Sequence, residues 1–104
     1  MENENIKIVE MLKNRGITLA IAESLTGGLV SSAICGVPGA SEVLLEGVVS
    51  YTDESKITRL GVRRETLEIH TSVSSQTAAE MAEGIRKNLD ADIGISTTGV
   101  AGPG

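Results

Sequence analysis

The sequence predicts a layered α/β/α domain built on a mostly parallel sheet. Two observations carry that expectation. Apolar, partly β-branched segments alternate with segments of helical periodicity, the pattern of strands joined by covering helices. Two of the apolar segments also run directly into loops of hydroxyls and glycines. These are Ala22-Glu23-Ser24-Leu25-Thr26-Gly27-Gly28 and Thr97-Thr98-Gly99-Val100-Ala101-Gly102-Pro103-Gly104. Open α/β sheets place their ligands at such strand ends.

Ile6, Val9 and Leu12, with Ile8 and Met11 beside them, recur at helical spacing, opened by Asn3 or Asn5 and closed by Gly16. Ile17 to Ala22 is apolar without alternation and reads as a buried parallel strand. Leu29 to Ile34 then reads as a helix starting near Thr26, rich in small residues, and Gly36-Val37-Pro38-Gly39 breaks it. Val43 to Tyr51 reads as a second strand. Thr52 caps the next helix, Asp53 and Glu54 suit its positive end, and Gly61 ends it. A short helical piece spans Arg64 to Ile69. Ser74 then caps a helix whose stripe is Ala78, Met81, Ala82, Ile85 and Leu89. Ile93 to Thr97 is the third strand, a central neighbour of the first. The chain ends inside the second glycine loop, so on this reading residues 1–104 are one domain, incomplete at its C-terminal end.

Composition narrows the function. Hydrophobic residues make up 40% and charged residues 22%, as in a globular chain. Tyr51 is the only aromatic residue, so the core must come from Ile, Leu, Val, Met and Ala, and no aromatic platform exists for stacking single-stranded nucleic acid. The net charge of −5 and the lack of a basic stripe argue against nucleic acid as a partner. No apolar run approaches the roughly 18 residues of a membrane span. The N-terminus is acidic and polar, unlike a signal peptide. The single Cys35 excludes an internal disulfide and reads as core; together these features point to the cytoplasm.

Ser24 stands at the turn from the first strand into a helix, beside free helix N–H groups that can hold an oxyanion. It is either a nucleophile or a helix N-cap. Thr26, Gly27 and Gly28 lie on the substrate side of this loop, where the glycines let a ligand approach the backbone. The spacing is not that of the G-x-S-x-G elbow. Two residues could serve as base. His70 is the only histidine and sits in a polar stretch, with a solvated surface role as its simplest reading. Lys56 lies one turn into the helix after the second strand, and is either a base, if its pKa is depressed, or a solvated surface lysine. Tyr51 can stack on a ring or simply fill core, with Ser50 adjacent on the opposite face. Thr98, Gly99 and Gly102 belong to a turn of the anion-nest type. That turn fits neither the Walker A pattern nor the dinucleotide fingerprint. Asp53, Glu54, Asp90 and Asp92 show no metal-ligand spacing, Cys35 with one histidine makes no zinc site, and no cofactor is expected.

Five motifs occur in order: Ala22-Glu23-Ser24-x-Thr26-Gly27-Gly28, Val37-Pro38-Gly39-Ala40-Ser41, Gly47-Val48-Val49-Ser50-Tyr51, Lys56-Ile57-x-x-Leu60-Gly61-Val62 and Thr98 to Gly104. Together they resemble the C-terminal domain of the CinA (competence/damage-inducible) family over nearly the whole chain. The resemblance implies an amidohydrolase that converts nicotinamide mononucleotide to the carboxylate and ammonia, in a homo-oligomer. It also implies Ser24, Tyr51, Lys56 and Thr98 as the catalytic set, with Ser50 as a weaker addition. The sequence departs from the pattern at Glu46, where a small residue is usual, and at Thr71-Ser72, where Gly-Ala is common. Two readings follow. One is a metal-independent amidase with Ser24 as nucleophile, Lys56 as base, and N–H groups near Gly27 and Gly28 as oxyanion donors. The other is a non-catalytic module for nucleotide binding or assembly. Lys56 discriminates them, since only the amidase needs it neutral.

Overall fold

Three strands, β1 (Leu19–Glu23), β2 (Leu44–Val49) and β3 (Ile93–Ser96), form a parallel sheet of order β2-β1-β3 in the computed structural model, which describes residues 2–99. The helices are α1 (Glu2–Arg15), α2 (Leu29–Cys35), α3 (Asp53–Leu60), α4 (Arg64–His70) and α5 (Ser75–Leu89), and a 3-10 turn spans Ala40–Glu42. The order matches the sequence expectation, and β1 and β3 are neighbours.

Every residue of β1 is buried, which explains its unalternating sequence: the central strand is covered on both faces. Leu19 and Ile21 pack with Val9 and Leu12 of α1 and Ile34 of α2. Ala20 and Ala22 face the other way, against Leu60 of α3 and Met81 and Ile85 of α5. The alternation carries past the strand end. Glu23 meets α2, and Ser24 meets α3.

The caps behave as the sequence predicts. Thr52 accepts from Ser55 N at 3.1 Å and Ser74 from Thr77 N at 3.1 Å, and Gly61 closes α3 at φ 70°. Of the apolar residues on α1, Val9 and Leu12 are buried, while Ile6, Ile8 and Met11 are exposed. Three expectations need correction. α2 begins at Leu29 rather than near Thr26, because Gly27 and Gly28 take positive φ. β2 ends at Val49, leaving Ser50 and Tyr51 beyond the strand. Cys35 is exposed rather than core, since it is the last residue of α2, next to its exposed Gly36 cap.

Gly84 sets the spacing of α3 and α5. A Cβ there would fall 1.8 Å from the Leu60 carbonyl oxygen. Intrinsic propensity favours alanine in a helix interior by about 1 kcal/mol. The clash forces two helices apart and outweighs it. Gly84→Ala is expected to lower stability by about 3 kcal/mol, read as a lower urea midpoint. A raised midpoint would mean that propensity governs and the two helices do not meet at this point.

Candidate active site

The three parallel strands end at one edge of the sheet, which brings the loops after β1, β2 and β3 together. Lys56 enters this edge from the first turn of α3. It is buried to 1% exposure, and its Nζ donates to Ser24 Oγ at 3.1 Å and to the Tyr51 carbonyl at 3.0 Å. Ser24 is also buried, at 4%. Burial holds the Lys56 pKa below its ordinary value, against a smaller opposing pull from Asp53. Both of its hydrogen-bond acceptors are neutral oxygens, so nothing in direct contact fixes the charged form.

Ser24 and Lys56 open into a cavity of about 280 Å³ that is also lined by Leu25, Tyr51, Ser72 and Val73. Gly99 lines it too, placed so that a Cβ would lie 3.3 Å from Leu25 Cδ2. The Tyr51 ring is exposed (61%) and stands at the rim, so it is not core filling. Larger hollows exist, such as one of about 530 Å³ between α3 and α5. Surface side chains such as Arg59, Glu83 and Lys87 line it, without a buried nucleophile.

Behind Ser24 lies a residue that motif reading overlooks. Glu23 is fully buried, yet its carboxylate accepts from Val30 N (2.9 Å), Ser31 N (2.8 Å), Ser31 Oγ (2.5 Å) and Thr26 Oγ1 (2.7 Å). Burial pushes the carboxyl up, but these hydrogen bonds outweigh it and bring the pKa to about 2. Glu23 is therefore an anion that caps α2 from outside the helix.

Its charge orders a chain of hydroxyls. A carboxylate only accepts, so Thr26 donates to Glu23. Thr97 then donates to Thr26 across 2.8 Å, and the Ser24 N–H approaches Thr97 Oγ1 at a long 3.5 Å. Thr97, not Thr98, is the threonine that meets the Ser24 loop. Alternation along β3 is the sequence signal for it, since Ile93, Ile95 and Thr97 share the face on which Glu23 lies.

The remaining expected residues sort as follows. Thr98 Oγ1 donates to the Ser72 carbonyl at 2.6 Å and makes no hydrogen bond to Ser24. Thr26 serves the Glu23 network. Gly27 N donates to Ser24 O at 3.1 Å, so it is not the expected oxyanion donor. The Val30 and Ser31 N–H groups are likewise occupied, by Glu23. Among the described residues no acceptor meets the N–H of Leu25, Thr26 or Gly28. Ser50 is buried, bonds Glu23 O through its N–H at 2.8 Å, and lines a groove beside β2 rather than the cavity. His70 is exposed at the end of α4 and does not bond Ser24. Gly102 lies outside the described residues. Among the described residues no arginine lines the cavity. Arg63, Arg64 and Arg86 instead pair with Glu80, Glu54 and Glu83.

This is a three-layered α/β domain with a serine–lysine pair at the carboxyl edge of a parallel sheet. Known proteins share the fold. The family model of the CinA C-terminal domain matches residues 2–104. A protein of Clostridioides difficile named as competence-damage inducible is 60% identical over 97 residues, covering 93% of this chain and 23% of that protein. Its namesake in Clostridium acetobutylicum is 57% identical over 94 residues, covering 90% and 23%. Among solved structures, the competence/damage inducible protein CihA of Agrobacterium tumefaciens superposes with a TM-score of 0.95 at 39% identity, covering 99% of this chain and 62% of that one. The competence or damage-inducible protein of Enterobacter asburiae gives 0.96 at 44%, covering 99% and 65%. The chain belongs to the CinA C-terminal domain family. It spans about a quarter of the length of these curated relatives.

Proposed function

We propose that this domain is a metal-independent amidase that hydrolyses the carboxamide of nicotinamide mononucleotide to the carboxylate and ammonia. One observation carries the reading: a buried lysine, with its pKa depressed by burial, 3.1 Å from a buried serine hydroxyl. That is the arrangement by which lysine activates a serine.

Neutral Lys56 takes the Ser24 proton as Oγ bonds to the carboxamide carbon. The C=O electrons move to oxygen. The N–H of Leu25, directly after the nucleophile, is the donor this reading assigns to that oxyanion, in place of Gly27. The charge returns to the carbonyl, the C–N bond breaks, and the Lys56 ammonium protonates the departing nitrogen, releasing ammonia. Water then adds to the acyl ester with Lys56 again as base, the carbon–Oγ bond breaks as the Lys56 ammonium returns its proton to Ser24 Oγ, and the acid leaves and ionises to the carboxylate. The Tyr51 ring at the rim stacks against the pyridinium, whose positive charge suits an aromatic face. Thr98 acts through Ser72 rather than on the reacting atoms, and the glycine loop from Gly99, with Gly102, takes the phosphate. The active form in this reading is a homo-oligomer.

Ammonia release from nicotinamide mononucleotide, measured without added metal, tests the proposal. The wild type is expected to release it and Ser24→Ala to release none. Silence from both, in protein folded by circular dichroism, would move the domain to the nucleotide-binding or assembly reading.

A further inference from the structure

Thr71 ends α4 with φ 67° and ψ 175°. Glycine adopts that backbone conformation freely; for a β-branched residue it is strained. Hydroxyl hydrogen bonds hold it in place. The Thr71 carbonyl accepts from Ser74 Oγ at 3.0 Å and from Thr77 Oγ1 at 2.7 Å, and Thr71 Oγ1 accepts from Val73 N at 3.2 Å. Thr77 is fully buried, so its hydroxyl has a fixed task. The next two residues, Ser72 and Val73, line the Ser24–Lys56 cavity. Thr98 Oγ1 ties the Ser72 carbonyl to the chain just past β3.

The magnitudes matter. Each hydroxyl bond to the Thr71 carbonyl is of the same order as the strain it opposes. Removing one tips the balance, and the turn relaxes. We propose that Thr71 is a positioning residue, whose clamped backbone sets the Ser72–Val73 wall of the cavity and so determines how a planar aromatic carboxamide fits over Ser24. The wall rests on geometry alone; the identity of the substrate rests on the amidase reading.

A double-mutant cycle tests it with two readouts, using Thr77→Val, Thr71→Gly and the pair together. Thr77→Val keeps the shape of the side chain and removes the hydroxyl. It is expected to raise KM for nicotinamide mononucleotide about tenfold with kcat within about twofold, and to speed amide hydrogen exchange at Ser72–Ser74 by a similar factor. Adding Thr71→Gly is expected to restore both, because glycine holds the turn without a clamp. Faster exchange with unchanged KM would overturn the wall. Failure of glycine to restore either readout would show that Thr77 acts through α5 stability instead. If the wild type releases no ammonia, the amidase reading fails separately. The exchange cycle then decides the clamp: faster exchange restored by glycine upholds it, and any other pattern overturns it.

Discussion

Replacing Lys56 with methionine is expected to reduce ammonia release by about 10²–10⁴-fold, the usual contribution of a positioned general base. Methionine has a similar length and suits a buried site, so the protein is expected to keep its melting temperature. Two hydrogen bonds are lost, but so is the cost of burying an ammonium. Activity should therefore fall without unfolding. The wild-type pH profile gives a second handle. Burial, opposed by Asp53, places the Lys56 pKa below its ordinary 10.5, so kcat/KM should climb with pH through that lowered pKa and then level off. Stability moves in the same direction. The folded state holds the proton less tightly than the unfolded state, so the unfolded chain binds more protons between the folded pKa and 10.5, and Lys56 favours folding increasingly as pH rises through that window. Full turnover by Lys56→Met, or a profile without a rising limb, would remove lysine from the mechanism.

Glu23→Gln should have the largest effect on the fold of the site. The carboxylate meets four donors; an amide offers one acceptor oxygen and sets its own N–H groups against the rest. A shift from 4.5 to about 2 corresponds to about 3 kcal/mol of preference for the charged form. The substitution is expected to cost about that much at pH 7, read from urea midpoints. Because the folded pKa is depressed, the contribution is complete above 4.5 and disappears as pH falls through about 2. The gap between wild type and Glu23→Gln should therefore narrow across that range. A gap that does not change with pH would mean Glu23 is not charged in the fold.

The elements were legible because their signals are local. Strand β1 shows itself by an unbroken apolar run, α5 by its stripe, and α3 and α5 by Thr52 and Ser74 caps. The Ser24–Lys56 pair was legible by placement, since both residues sit where strands give way to helices. What escaped is non-local. The cap of α2 is Glu23, seven residues before Val30, a span no capping rule covers. The same carboxylate occupies amides that a bare helix N-terminus would have left for an oxyanion. Thr97 and Thr98 are adjacent in one motif, and only the pleat separates them, sending one to Thr26 and the other to Ser72. The exposure of Cys35 depends on which face of the short α2 turns inward, which its run of small residues does not mark: Ile34 is buried and Cys35 beside it is exposed.

A core of aliphatic side chains, with the chain's one aromatic ring outside it at the cavity rim, has a spectroscopic consequence. The chain has neither tryptophan nor phenylalanine, so all of its near-ultraviolet side-chain emission comes from one ring at the mouth of the cavity. There is no background to subtract and no second chromophore to assign. The protein carries its own reporter at the place where a nucleotide would arrive, and occupancy could be followed by light without attaching a label.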